Sequence, residues 1–286
     1  MFAPSWAHAR TSKFEKVVQE SRLGAAFLTS RPTERQFFIM KPVFRNVFFV
    51  ATVVVSTALT ALSVIVLALV PSTEKLLRTL EGWWARSIVF ASGVRIIWKG
   101  PRLDPGRNYV FIANHQSHLD TPIFLSLLAA WRPRFLAKES LFRIPLFGPG
   151  MRRTGHIPVD RENRRKGMEG IRKAVEQIDN GDSVLIFPEG TRNLSDEGLQ
   201  SFQIGAFIIA LKAGRPVIPV IIQGTRKVLP KGSITVSPGP VRVQVLDAFQ
   251  IQETMTIKDR DRLKNEVWEV MNTSYAEMNE WTETTQ

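Results

Sequence analysis

The sequence has no cysteine and only four histidines in 286 residues. Without cysteine the chain has no thiolate nucleophile, no disulfide and no zinc–thiolate site, and four histidines leave little room for a metal cluster. Any catalysis must therefore use histidine, serine or carboxylate side chains. The Gly-x-Ser-x-Gly element of α/β-hydrolases is also missing, as are internal repeats and the zinc-finger, RRM and helix-turn-helix signatures of nucleic-acid binding.

Negative charge is scarce relative to positive charge. The 38 Lys and Arg against 26 Asp and Glu give a net charge of +12, which indicates an anionic partner such as a phosphate-bearing lipid, a nucleotide-containing thioester, an acidic carrier protein or nucleic acid. The basic residues are densest between positions 132 and 166. We interpret that run as a solvated, membrane-facing or phosphate-steering surface, and single out only Lys138 and Arg161 as candidate ligands.

Residues 47–70 form a long, mostly hydrophobic run that is uncharged over 24 positions. As a helix this segment is about 36 Å long, enough to span a bilayer with some tilt; the alternative is a buried core helix. Residues 76–98 contain three tryptophans and resemble an interfacial segment. A positive-inside count places the N-terminal side in the cytoplasm. A single crossing would then export the rest of the chain, whereas a monotopic hairpin would not, and both topologies remain open.

The remaining chain alternates strand-like and helix-like segments, which predicts an α/β fold with a mostly parallel sheet flanked by helices, behind an N-terminal membrane helix or helical hairpin. We divide the chain into a basic extension (1–39), a membrane-anchoring region (40–99), an α/β domain (100–250) and a C-terminal amphipathic helix (251–286). Met40 resembles a natural start, so we expect Met1 to Ile39 to be optional. The predicted elements after residue 100 are strands 109–113, 134–137, 183–187, 216–222 and an edge-type strand at 241–245, and helices 122–130, 168–180 and 199–213.

The stretch from Asn114 to Asp120 lies where a buried strand meets a helix. Open α/β sheets bind ligands beyond the carboxyl ends of their strands. An acid that accepts a hydrogen bond from one nitrogen of His115 would leave the other nitrogen free as a general base, and Asp120 is placed to do this. The alternatives are a solvated histidine with Asp120 capping the helix, or Ser117 as a hydrolase nucleophile. His118 is the weaker base candidate, because no acid follows it at the same spacing.

The loop Phe187 to Arg192 follows the next buried strand. Its glycine allows close backbone approach to a ligand, and its arginine offers a planar fork to a phosphate. A surface turn with a solvated arginine is the alternative.

Four blocks then occur in order: Asn-His-Gln-Ser-x-x-Asp at 114–120, Gly-x-Ile-Pro-Val-Asp-Arg at 155–161, Phe-Pro-Glu-Gly-Thr-Arg at 187–192 and Val-Ile-Pro-Val at 217–220. In order and spacing they resemble the glycerolipid acyltransferase family, and most closely the bacterial 1-acylglycerol-3-phosphate acyltransferases. The resemblance covers roughly residues 80–250, and makes 100–250 the acyltransferase domain.

The resemblance implies acyl transfer from acyl-CoA or acyl carrier protein to the 2-hydroxyl of lysophosphatidic acid, giving phosphatidic acid. His115 would be the base and Asp120 its orienting acid. It further implies no metal or other cofactor, contact with membrane phospholipids, no nucleic-acid partner, and a place at the inner membrane with the catalytic domain on the cytoplasmic side. The acceptor phosphate would be held by Lys138, Arg161, Glu189, Gly190, Thr191 and Arg192.

The sequence departs from the family pattern in one block. After the third block the family often has Phe-Lys-x-Gly, whereas this chain has Phe-Gln-Ile-Gly at 202–205, so one phosphate-binding cation is expected to be missing. Another lysophospholipid, a lyso-ornithine lipid or glycerol-3-phosphate remains an alternative acceptor. A membrane-anchored basic protein without catalysis is the alternative outside enzymology. Ile218 and Pro219 of the fourth block would line the apolar side of the pocket.

Overall fold

A computed structural model describes residues 42–67, 70, 73–160, 163–195 and 197–278. The predicted N-terminal extension 1–39 and the candidate ligand Arg161 lie outside these residues. The described chain begins with a helical hairpin and continues as a seven-stranded sheet with helices on both faces.

The hairpin is made of α1, Pro42–Leu67, and α2, Glu74–Ser92. Within the described residues, α1 is the helix that is long and apolar enough to cross a membrane. The α2 helix ends at Gly93, whose φ of 66° closes the last turn in the left-handed conformation that glycine adopts freely. It packs along α1, and the Trp84 indole N–H donates to the Thr57 hydroxyl at 2.9 Å. Of the two arrangements left open by the sequence, a single membrane helix or a helical hairpin, the two helices pack as a hairpin.

The sheet has the strand order β1-β7-β6-β2-β5-β3-β4. All neighbouring strands are parallel except β6 and β7, which are antiparallel. The prediction that 241–245 is an edge strand was wrong, because β7 lies between β1 and β6 and bonds to both. The strands are β1 Arg95–Lys99, β2 Val110–Ala113, β3 Pro133–Lys138, β4 Ile157–Val159, β5 Ser183–Ile186, β6 Val217–Gln223 and β7 Pro240–Val245.

Alternating side chains of the central strands form two cores. Phe111 and Ala113 of β2 point to the face covered by α2 and by α3, Asp120–Leu127, whereas Val110 and Ile112 point to the opposite face. That second face is covered by α5 (Arg164–Asp179), α6 (Gly205–Ala213) and α8 (Arg260–Glu277). The remaining helices are α4 Phe147–Arg153 and α7 Thr225–Val228, with short 3₁₀ turns at Ala129–Trp131, Glu139–Arg143 and Ile257–Asp259.

Two predicted segments differ from the structure. The helix predicted over 199–213 begins only at Gly205, because the preceding backbone is bound elsewhere: Leu199 N–H donates to the Asn272 side chain, and Gln203 N–H donates to the Pro188 carbonyl. The segment 76–98, predicted as one interfacial stretch, divides into most of α2 and strand β1. The sheet thus already begins at Arg95, within the range predicted for the membrane-anchoring region.

Candidate active site

The candidate residues converge because they follow parallel strands. Neighbouring strands β2 and β5 run in the same direction, so the loops after Ala113 and Ile186 leave the same edge of the sheet. Strands β3 and β4 also end at this edge, which places Lys138 and Asp160 beside those loops. One large cavity opens here, with a volume of about 1080 Å³.

His115 and Asp120 form an oriented pair in this cavity. The His115 Nδ1–H donates to Asp120 Oδ2 at 2.7 Å, and the same oxygen accepts the backbone N–H groups of Gln116 and Ser117. Asp120 is fully buried, whereas the His115 ring lines the cavity with its Nε2 free of protein partners among the described residues. Because Asp120 fixes the proton on Nδ1, Nε2 presents its lone pair to a ligand. The helix-capping alternative fails, since Asp120 bonds the turn before the helix.

The other residues of this stretch bind the protein rather than a ligand. The Asn114 amide exchanges two hydrogen bonds with the backbone of Ile222 in β6, at 2.8 and 2.9 Å. Gln116 bridges the Tyr275 hydroxyl and the Gly224 N–H. Ser117 is fully buried and its hydroxyl donates to the Leu229 carbonyl at 2.7 Å, so this serine is not placed to act as a nucleophile.

The loop after β5 packs against the His115 ring and bonds its main chain. The Phe187 ring stacks on the His115 imidazole, with centroids 4.1 Å apart and planes 15° from parallel. Gly190 has φ of 78°, a conformation that a side chain would strain, and its N–H closes a turn onto the Phe187 carbonyl. The Asn193 N–H then donates to the His115 carbonyl at 2.7 Å. These contacts fix the main chain of His115 and one face of its ring.

Glu189 has a different environment from that predicted for a phosphate ligand. Its carboxylate accepts the backbone N–H groups of His115, at 2.8 Å, and Gln200, at 3.3 Å, and it is not part of the cavity lining. Burial raises the pKa of Glu189 to about 7, and the two N–H donors only partly offset this effect. Glu189 therefore acts on His115 through the main chain.

The pKa of Glu189 predicts a pH-dependent contribution to stability. The folded chain holds this proton more tightly than the unfolded chain, where the ordinary value is 4.5, so stability falls as the pH rises from 4.5 through about 7, by on the order of 1–3 kcal/mol. Glu189→Gln removes this term. We expect its melting temperature in detergent to gain on that of wild type between pH 5 and pH 8, whereas the exposed neighbour Glu197→Gln follows wild type. Parallel curves for Glu189→Gln and wild type would contradict this.

The remaining predicted ligands that the structure describes all line the cavity: Lys138, Gly190, Thr191 and Arg192. The Arg192 guanidinium carries a buried Nη1 that has no hydrogen-bond partner among the described residues, and an unpaired buried donor is costly unless a ligand satisfies it. His118 lines the cavity too, and its pKa is lowered, chiefly by loss of water around the ring and then by the charge of Arg192.

The fourth block does not line the cavity as predicted, and neither does the position at which the family often has a lysine. Ile218 and Pro219 lie within β6, where Ile218 is fully buried in the core, and neither lines the cavity. They pair with Phe111 and Ile112 of β2 and hold the strand that leads to His115. Gln203, at the position of the family lysine, is exposed and outside the cavity lining. The cavity therefore loses no cation there.

Part of the basic run is internal rather than solvated. Arg134 is buried and bonds Asp182 at 2.8 Å and Glu81 of α2 at 3.3 Å. Glu81 also accepts the His156 Nε2–H at 2.6 Å, while the Phe135 N–H donates to Nδ1 of that ring. Both nitrogens of His156 are thus occupied. This cluster ties the hairpin to β3 and β4.

The role of the hairpin as one wall of the cavity was not predicted. Side chains of α1 from Phe49 to Val64 line it, together with Glu81, Trp84 and Ile88 of α2. A loop with Lys231, Ser233 and Ile234 closes another side. The threonines at 57 and 60 are the signal in the apolar run, because they share one helix face with lining positions 53 and 64.

Comparisons with known proteins agree with this geometry. Residues 95–223 match the family model described as Acyltransferase. Over 164 residues the chain is 37% identical to the chloroplastic 1-acyl-sn-glycerol-3-phosphate acyltransferase BAT2 of Brassica napus, covering 57% of this chain and 46% of that protein. Over 117 residues it is 39% identical to the 1-acyl-sn-glycerol-3-phosphate acyltransferase of Haemophilus influenzae, covering 41% and 48%. The chain thus spans about half the length of these curated relatives.

A solved structure matches over a larger share of both chains. The crystal structure of the 1-acyl-sn-glycerophosphate (LPA) acyltransferase PlsC from Thermotoga maritima superposes with a TM-score of 0.70 at 26% identity, covering 84% of this chain and 98% of that one. The match includes the mostly parallel sheet flanked by helices. The part of the chain that is similar to the acyltransferase family, residues 95–223, therefore includes the strands and loops that carry His115 and Arg192.

Proposed function

We propose that the protein is a 1-acylglycerol-3-phosphate O-acyltransferase, which moves a fatty acyl group from acyl-CoA or acyl carrier protein to the 2-hydroxyl of lysophosphatidic acid. The observation that carries the proposal is the His115–Asp120 pair, which opens onto a cavity that is apolar along α1 and cationic at Arg192. The named activity of the relatives supports the same reaction. Its product, phosphatidic acid, would enter phospholipid synthesis.

In this mechanism His115 Nε2 accepts the proton of the acceptor hydroxyl as that oxygen attacks the thioester carbonyl. Asp120 stabilises the imidazolium that forms, because its buried carboxylate already bonds Nδ1–H. The tetrahedral intermediate then collapses with loss of the thiolate, which takes the proton from Nε2. Acyl transfer is direct, which fits a chain without cysteine and with Ser117 buried.

The two sides of the cavity suit the two parts of each substrate. The apolar side chains of α1 would hold fatty acyl chains, since ligand pockets are mostly apolar with a few placed polar groups. Arg192 and Lys138, with the exposed Thr191 at the loop, would hold the acceptor phosphate. Glu189 is assigned to positioning His115 rather than to the phosphate. Arg161 remains a proposed phosphate ligand from the family resemblance alone.

We place the protein at the inner membrane, with the catalytic domain on the cytoplasmic side where both thioester donors occur. The α1 helix supports membrane attachment by its length and composition. It also lines the cavity from Phe49 to Val64, a stretch of about 22 Å at 1.5 Å per residue. A helix that packs along the catalytic domain over this length favours the monotopic hairpin over a single crossing.

The contact of Arg192 with the acceptor phosphate predicts a selective kinetic effect. Hydrogen bonds to charged groups are worth about 1.5–3 kcal/mol, so Arg192→Ala is expected to raise KM for lysophosphatidic acid by about 10–100-fold, with little change in KM for the acyl donor. Arg215→Ala is the matched control, because Arg215 is exposed before β6, at the opposite edge of the sheet. An equal rise in both KM values for Arg192→Ala would argue against the phosphate contact.

The experiment that tests the function is an acceptor and donor panel with the purified chain in detergent. Lysophosphatidic acid is expected to be acylated fastest, ahead of other lysophospholipids, lyso-ornithine lipid and glycerol-3-phosphate. Acyl-CoA and acyl carrier protein are supplied separately to identify the donor. Labelling of the chain by a fluorophosphonate, or transfer to none of these acceptors, would overturn the proposal.

A further inference from the structure

Two loops at the cavity expose large apolar side chains to solvent. Ile144 and Leu146 precede α4 and are 44% and 50% exposed, and Ile234 in the loop after α7 is 72% exposed. Leu146 has φ of 64°, a conformation that residues other than glycine rarely adopt. Both loops border the cavity, through Arg143 and Phe147 on one side and through Ile234 itself on the other. Apolar groups held outward in this way usually mark an interaction surface.

Cations flank these apolar side chains. Arg143 and Lys231 are exposed members of the cavity lining. Arg152 and Arg153 are exposed at the end of α4, where the Arg152 guanidinium lies 5.3 Å from the centre of the Phe142 ring. Segments that lie in a membrane interface combine apolar residues such as isoleucine and leucine with arginine and lysine. Their apolar groups lie below the lipid phosphates, and their cations lie among the phosphates.

Both loops are joined to the membrane helix. The Phe147 ring packs 6.5 Å from the Trp84 ring of α2, and α4 contacts α1. On the other side, the Arg45 Nε–H donates to the Val236 carbonyl at 3.1 Å, and the Val236 N–H donates to the Asn46 side chain at 3.0 Å. The outer face of α1 carries its own exposed apolar side chains, including Val55, Leu59 and Leu62. The apolar surface of the loops therefore continues that of α1.

We infer that the rim, defined as Arg143, Ile144, Leu146, Lys231 and Ile234, is a second membrane contact that inserts into the interfacial layer of a phospholipid bilayer containing anionic lipid. The apolar members lie among the first acyl carbons, and the cations lie at the phosphates. This contact places the cavity mouth within the headgroup layer. A lysolipid acceptor then reaches His115 without crossing water, and this consequence alone rests on the proposed function.

The absence of cysteine makes the inference testable with single probes. The full chain is reconstituted in vesicles of phosphatidylcholine and phosphatidylglycerol as Leu146→Cys or Ile234→Cys, each carrying an environment-sensitive fluorophore. Leu59→Cys on α1 reports attachment, and Val270→Cys on α8, 42% exposed, is the matched control. We expect a blue shift of emission and several-fold quenching by lipids nitroxide-labelled near the headgroup at positions 146 and 234, but not at 270.

Quenching at 146 and 234 no stronger than at 270, with Leu59→Cys quenched, would overturn the inference. Vesicles of phosphatidylcholine alone form a second arm, in which we expect weaker quenching at 146 because the rim cations lose their anionic partners. A blue shift produced by a soluble acidic carrier protein, with no quenching by vesicles, would assign the rim to a protein instead. No substrate is present, so a failure of the acyltransferase proposal leaves this result interpretable.

Discussion

His115→Ala is expected to lower kcat for acyl transfer by about 10²–10⁴-fold, the range that a positioned general base contributes. The variant should fold, because the contacts that hold this position are made by its backbone: the N–H donates to Glu189 and the carbonyl accepts the Asn193 N–H. The proposed substrate contacts at Arg192 and α1 are unaltered, so KM for both substrates should change little. The measurement is initial rate against each substrate for variant and wild type in detergent.

His118→Ala provides the matched comparison within the same stretch. This ring also lines the cavity, but Asp120 bonds His115, and among the described residues no carboxylate bonds His118. We expect a loss of activity far smaller than for His115→Ala. A larger loss for His118→Ala than for His115→Ala would exchange the roles of the two histidines. Membrane attachment is measured in parallel and should be unchanged in both.

Asp120→Asn is expected to produce the second large loss, on the order of 10³-fold in kcat, since the corresponding change in a serine protease triad costs about 10⁴-fold. The carboxamide keeps one acceptor oxygen, which can still bind the backbone N–H groups of Gln116 and Ser117. The same oxygen can accept the Nδ1–H of His115. The carboxamide carries no negative charge, so it no longer stabilises the imidazolium that forms when Nε2 takes up the hydroxyl proton.

The stability of Asp120→Asn separates this effect from misfolding. Because the Asp120 side chain is fully buried, loss of charge-assisted hydrogen bonds should lower the free energy of unfolding by about 1–3 kcal/mol, leaving a folded protein. Melting in detergent and the KM values check this. A folded Asp120→Asn variant with nearly wild-type kcat would show that the charge of the acid does not assist the base.

The site could be predicted where it depends on local chain order. The strand before Asn114 and the strand before Phe187 are short apolar runs that were predicted from the sequence. The family resemblance then implied that His115 and Arg192 share one site. The structure places both in the lining of one cavity. The pairing of His115 with Asp120 followed from the same junction, because a turn brings residues five apart together.

The rest depends on contacts between distant segments, which periodicity does not report. The apolar pattern of α1 is the same whether the helix faces lipid on all sides or lends one face to a cavity, so its role as a cavity wall was missed. Glu189 was predicted to be a phosphate ligand from the family resemblance, whereas its contacts to the main chain of His115 and Gln200 depend on tertiary packing. The edge assignment of β7 failed because residues 95–99 were not recognised as a strand.

The role of the fourth block also depends on contacts between distant segments. Its residues belong to the family pattern, yet Ile218 and Pro219 lie beside β2 in the sheet and reach the site only through that strand. A family motif marks either residues that contact the substrate or residues that support the strand leading to them. Only the three-dimensional position of the side chains separates these two roles, because the spacing of the block is compatible with both.

We propose that His115 activates the 2-hydroxyl of lysophosphatidic acid for direct attack on an acyl thioester. The most direct measurement is mass spectrometry of lipid and protein after the purified chain is mixed with lysophosphatidic acid and an acyl thioester, for wild type and His115→Ala side by side. We predict phosphatidic acid acylated at position 2 from wild type, almost none from the variant, and an unmodified protein mass throughout. Equal phosphatidic acid formation by the two proteins, or an acylated chain that forms during turnover, would contradict the account.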